Sequence, residues 1–230
     1  MITMTRRSTA VMVCGLGLVA CRPGANSAAQ ATSSLQESRF VANCEPCLFR
    51  IGPNLRPYAF RFHLRVDATG RRAVDSVFVS TAAQESPNQR LAVREMAPIV
   101  PADSFFVTVA DVNFDGFRDF GLATSRGVVN TYVDYWLFRP ATQTFSYLGN
   151  FPLFRVDTLQ RRLSTYERGG AGGMLYEAKV YEFIADTIAL VEVEKQEATD
   201  ELGVFRKTVS RLVDGKLRVV SRARVTARPH

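Results

Sequence analysis

Residues 58–66 read Tyr58-Ala59-Phe60-Arg61-Phe62-His63-Leu64-Arg65-Val66. From Phe60 onward an apolar side chain occupies every second position, the period of a strand with one buried and one solvated face. Asp67-Ala68-Thr69-Gly70 then leads into a second such run at 73–80, so the two runs are predicted to pair as a hairpin. Further strands, rich in aromatic and β-branched residues, are predicted at 104–110, 120–124, 132–138, 144–148, 162–167, 175–184, 187–194, 204–213 and 216–225. Residues 139–143 (Arg-Pro-Ala-Thr-Gln) and Asp214-Gly215 carry the turn chemistry between two pairs of these runs. Pro87, Pro98 and Pro101 punctuate 81–101, where a short helix is predicted over 89–96.

No long stretch carries a clean helical period. The expected fold is mainly β, an antiparallel sandwich or barrel-like meander of about ten strands with at most one or two short helices, because a meander that long must hide its edges. At 230 residues and 47% hydrophobic content the chain can bury one full core and is not generally disordered.

The first residues stand apart from this pattern. Residues 1–20 have Arg6 and Arg7 near the start and an apolar run over 11–20, the layout of a secretory signal peptide. The run is shorter than the roughly 20 residues that span a bilayer. It ends in Leu18-Val19-Ala20-Cys21, small residues before a cysteine, as a lipoprotein signal peptidase requires; Cys21 would then carry the lipid and become the new N-terminus. Residues 21–39 are poor in aromatics and rich in Ala, Ser and Gln, which predicts a lipidated flexible tether, with a single β domain over 40–230. These features predict a periplasmic protein anchored to a membrane by its lipid. Arg22, rather than aspartate, after Cys21 favours the outer membrane.

Loss of the signal takes Arg6 and Arg7 but no acid, lowering the formal charge from +7 to +5. The cations are 25 Arg against 4 Lys and alternate with apolar residues rather than forming a block, so no nucleic-acid stripe is expected. They read as a solvated sheet face, or as attraction to an acidic partner. Cys44 and Cys47 remain for the folded domain. An oxidising compartment favours a small structural disulfide between them over a redox pair or half of a zinc site, since His63 and His230 do not stand at ligand spacing.

Two segments carry candidate chemistry. In Asp111-Val112-Asn113-Phe114-Asp115-Gly116-Phe117-Arg118-Asp119-Phe120, oxygens recur at alternate positions with glycine sixth. The spacing matches the start of an EF-hand loop: Asp111, Asn113, Asp115, the Phe117 carbonyl and Asp119 are the candidate Ca²⁺ ligands, and the alternative is a solvated acidic turn. Position twelve is Leu122 rather than an acid, and strands flank the loop, so the ion is expected to tie two strands together. The second segment, Arg168-Gly169-Gly170-Ala171-Gly172-Gly173-Met174-Leu175-Tyr176, is either a flexible turn or a loop that enters a partner's cleft with Tyr176 as anchor. No Gly-x-Ser-x-Gly, His-Glu-x-x-His or phosphate loop occurs, and no activity as an enzyme is expected.

The order of lipobox, tether, strand, Asp-x-Asn-x-Asp-Gly-x-x-Asp, aromatic hairpin (Tyr135-Trp136-Leu137-Phe138 to Phe145), glycine-rich segment and Tyr-containing strands resembles a family of periplasmic lipoproteins. These are the immunity proteins against lysozyme-like effectors of bacterial-killing type IV secretion systems, similar in fold to the periplasmic inhibitors of I-type lysozyme. The resemblance covers residues 100–190 best. It implies calcium at the acidic loop and a lysozyme-like peptidoglycan hydrolase as partner, blocked by a Ser-Gly-x-x-Tyr loop. Here that loop maps to Gly172-Gly173-Met174-Leu175-Tyr176, with Gly172 in place of the serine and Gly173 and Tyr176 retained. The other reading from the same residues is a calcium-braced envelope lipoprotein that binds protein or peptidoglycan without inhibiting it.

Overall fold

The computed structural model describes residues 37–42, 44–66, 70, 72–84, 86, 88–98, 104–126, 129–184 and 186–226. The signal peptide at 1–20, Cys21 and residues 22–36 of the predicted tether lie outside the described residues. Residues 33–230 form one compact unit.

Within it the described residues form fifteen strands in three antiparallel sheets. The first sheet holds β1 (Glu37–Ala42), β6 (Ser104–Ala110), β7 (Asp119–Arg126), β8 (Thr131–Arg139) and β9 (Thr144–Pro152), in that order. A second holds β2 (Cys47–Phe49), β3 (Tyr58–Val66), β4 (Arg72–Thr81) and β5 (Gln89–Pro98). A third is a meander of β10 (Arg155–Asp157), β11 (Arg162–Arg168), β12 (Tyr176–Ile184), β13 (Thr187–Ala198), β14 (Val204–Val213) and β15 (Lys216–Thr226). Among the described residues the helical content is one 3-10 turn, Ala171–Gly173. The expectation of a mainly β, sandwich-like fold holds. The strands are more numerous than the sequence suggested, and among the described residues the sheets do not close into a barrel. β1 also begins at Glu37, inside the stretch read as tether.

The first sheet is the middle layer. Phe105, Val107, Val109, Phe120, Leu122, Trp136 and Phe138 on one of its faces share a core with Phe49, Tyr58, Phe60, Val77 and Leu91 of the second sheet. From the other face, Ala123, Val133, Tyr135 and Leu137 meet Leu163 and Tyr181 of the third. That arrangement explains why residues 133–138 are buried without interruption, whereas a strand with one wet face alternates. Within the run, Asp134 is satisfied by Tyr147 Oη and Asn150 Nδ2, each at 2.9 Å.

The predicted helix at 89–96 is instead β5. Leu91 is buried against Val77 in register while Arg90, Ala92 and Arg94 are exposed, a period of two that outweighs the helix-forming residues between the prolines. Gln89 closes this edge onto the middle sheet: its Nε2 donates to the Phe145 carbonyl at 2.5 Å and its Oε1 accepts the Phe145 amide at 2.7 Å.

Candidate functional site

The acidic loop joins β6 to β7 and is built by its own carboxylates. Asp111 Oδ1 and Oδ2 accept the amides of Asp115 and Gly116 at 3.1 and 2.9 Å. Asp115 Oδ1 accepts the Phe117 amide at 2.8 Å, and Oδ2 accepts Asn113 Nδ2 at 2.9 Å. Gly116 turns the chain with φ +90°, and Phe114 also takes a left-handed φ of 61°. Asp119 is turned inward and buried, with the Val112 and Phe138 amides each 2.8 Å from one of its oxygens. Asp111, Asn113 and Asp115 thus share one hydrogen-bonded turn while Asp119 anchors its base. Among the described residues no three Asp, Glu, His or Cys side chains are gathered as a ready-made cage.

The electrostatics of the loop still fit a hard cation. Desolvation pushes the Asp119 carboxyl well above the ordinary range; the Phe138 and Val112 amides oppose this, and the charges of Asp115 and Asp111 add to it. Burial likewise raises Asp111, with the neighbouring Asp115 contributing. A divalent ion would relieve both effects, and each carboxylate oxygen that accepts one N–H keeps a lone pair for it. Asp111, Asn113, Asp115, Asp119 and the Phe117 carbonyl are the residues that would hold it.

Two aromatic residues of this loop reach opposite cores. Phe117 packs into the core shared with the second sheet, 5.6 Å from the Phe138 ring, and the Arg118 amide donates to the Ile51 carbonyl at 2.7 Å. Phe114 packs into the core shared with the third sheet, where the Arg161 guanidinium lies 5.6 Å from its ring. The loop is therefore a joint between all three sheets. Asn-Phe-Asp-Gly-Phe is the sequence signal for it, two aromatics three residues apart inside a polar turn, but which core each would enter has no local signature.

The glycine segment forms a tied turn between β11 and β12. Met174 and Leu175 amides donate to the Ala171 and Gly170 carbonyls at 3.1 and 3.3 Å, and Gln196 Nε2 donates to the Met174 carbonyl at 2.7 Å. Gly172 and Gly173 have φ of +64° and +88°, and a Cβ on either would meet nothing within 4 Å. They serve backbone conformation and leave their outer side open.

Tyr176 is not at the tip of this turn. It starts β12, half-buried, stacked on Tyr166 at 5.2 Å, and its hydroxyl donates to Glu194 Oε1 at 2.6 Å. Desolvation and then the Glu194 carboxylate raise the Tyr176 hydroxyl pKa. Beside the turn lies a groove of about 560 Å³ lined by Asn130, Glu167, Tyr176, Lys179, Lys195 and Gln196 among others. Its wall is firm: Asn130 exchanges two bonds with the Arg168 backbone, and Lys179 bridges Glu167 at 3.3 Å and Glu177 at 2.5 Å. Tyr166, Asn130 and Gln196 were not singled out from sequence. Tyr166 could have been, since it mirrors Tyr176 across the glycines.

Cys44 and Cys47 are joined by a disulfide with Cα atoms 4.9 Å apart, at the turn that enters β2. His63 lies far along β3 and bonds Asp75 at 2.8 Å.

No family model matches the chain, and none of the curated proteins matches it. Among solved structures, the fold is similar to that of a Xanthomonas type IV secretion system related protein, at 15% identity and a TM-score of 0.50, over 76% of this chain and 98% of that one.

Proposed function

We propose that this chain is a calcium-stabilised, lipid-anchored periplasmic protein that binds a lysozyme-like peptidoglycan hydrolase and inhibits it, in the manner of an immunity protein. The observation that carries the reading is the turn at 170–175. It is held by five hydrogen bonds, one of them from the Gln196 side chain, yet open outside Gly172 and Gly173, and it stands next to a groove bordered by Tyr176. A rigid projection loses little conformational entropy on docking, which favours its use as a plug. The fold shared with a type IV secretion system related protein is in keeping with a partner delivered by such a system. The chain itself is assigned no catalysis.

A non-inhibitory envelope lipoprotein is the second reading. It is favoured by the Tyr176 hydroxyl, already bonded to Glu194, and by Gly172 where the inhibitory loop carries serine. Titrating lysozyme-fold hydrolases with the unlipidated protein separates the two. Inhibition that drops about thirtyfold in Tyr176→Ala, as for a hot-spot anchor, supports the first reading. Binding without inhibition supports the second, and no binding to any such hydrolase removes the assignment.

A further inference from the structure

Among the described residues the far edge of the third sheet is open. β15 has eleven residues, more than any other strand that ends a sheet, and among the described residues it pairs with β14 alone. By comparison β2 and β10 have three residues each, and Gln89 fastens β5 to β9. Every residue of β15 from Lys216 to Arg224 is exposed, so neither face of the strand is covered. A strand in this state is a template for addition of another, through its outward backbone N–H and C=O groups.

The side chains define what would fit there. Val219 and Val220, 47% and 49% exposed, stand at mid-strand, where β15 carries one extra residue against Val209 and Ser210. Lys216 and Arg218 precede them, and Arg222 and Arg224 follow. The extra residue sends these two cationic pairs to opposite faces: Arg218 sits across from Arg211, and Arg224 across from Arg206, five positions away on β14. Like charges directly opposite repel. Glu192 offsets Arg211 at 2.7 Å and Glu197 offsets Arg206 at 3.8 Å; Arg218 reaches Asp214 at 3.7 Å, and Arg224 pairs with Glu201. Lys216 and Arg222 have no ion pair among the described residues. A second copy paired through the same edge would set cation against cation. An acidic strand would instead find a cation on each face and an apolar centre between.

We propose that β15 is a docking edge for an extended acidic segment of a partner protein, with Asp or Glu on either side of a short apolar centre, added to the sheet alongside β15. The site is separate from the glycine turn, which joins β11 to β12, and does not depend on the hydrolase reading.

The test uses a synthetic peptide with Val-Val flanked on both sides by alternating Glu and Thr, and its counterpart with Lys for Glu. Binding is followed by fluorescence anisotropy, with amide hydrogen exchange read along the protein. The Glu peptide should bind at least about tenfold more tightly than the Lys peptide, and Lys216→Glu/Arg222→Glu should weaken it by about tenfold, as steering charges do. Amides of residues 216–226 should gain protection. No binding, equal binding of both peptides, protection confined to another segment, or sedimentation showing that the free protein already pairs with itself through β15 would each overturn the proposal.

Discussion

Gly121 shows how closely the middle sheet is packed on its second face. A Cβ there would lie 2.5 Å from Thr108 Cγ2 and 2.8 Å from Val133 Cγ1, both on neighbouring strands. Gly121→Ala is expected to destabilise the protein by about 1–3 kcal/mol in denaturant unfolding, the usual result of overpacking. Glu194 makes a prediction of a different kind. Burial raises its pKa, but hydrogen bonds from Lys207 and Tyr176 outweigh this and hold the carboxyl below its ordinary value. A depressed carboxyl contributes stability above its unfolded pKa and loses it as pH falls through the folded one. Glu194→Gln should therefore be less stable than the parent at neutral pH, by under about 1 kcal/mol given the pair's partial exposure, and the gap should close below about pH 4. A gap unchanged down to pH 3 would mean that the Glu194 bonds are not formed.

Strands on the outside of the molecule were legible because one wet face imposes alternation, as in β3, where Phe60 and Phe62 face inward and Arg61 and His63 do not. β8 of the middle sheet carries no such pattern. Residues 133–138 are apolar on both faces save Asp134, so their strand character was visible while their place between two layers was not. β5 reads as a helix because prolines at its flanks and Arg-Leu-Ala-Val-Arg-Glu-Met within it suit one, and the choice is made by pairing with β4, the strand that precedes it in the chain. The candidate site divides in the same way. The ligand spacing from Asp111 to Asp119 was evident, whereas the inward turn of Asp119 depends on the Phe138 amide from another strand. Gln89 is the element-level device that no local signal announced. Gln89→Ala would leave the Phe145 amide and carbonyl without their partner, and an unfolding free energy lower by about 1–3 kcal/mol is expected, with unfolding rather than refolding accelerated if the seam forms late.

At the scale of the whole molecule, one loop serves two cores. Phe117 and Phe114 leave the same turn in opposite directions, so fixing residues 111–119 fixes the second and third sheets against the first. Support and the proposed function then fall in two places: the acidic loop joins the layers, and the glycine turn and groove of the third sheet are the surface proposed for a partner. An ion that binds only the folded loop stabilises the fold by mass action, about 2.7 kcal/mol at a hundredfold excess over Kd. For a domain of this size that corresponds to a rise in Tm of roughly 5–10 °C. The most direct measurement is thermal unfolding of the protein in calcium and in chelator, beside Asp115→Ala. A calcium-dependent rise of that size in the parent, absent from Asp115→Ala, is the expected result; equal Tm with and without calcium would contradict the assignment of residues 111–119 as a calcium-dependent joint.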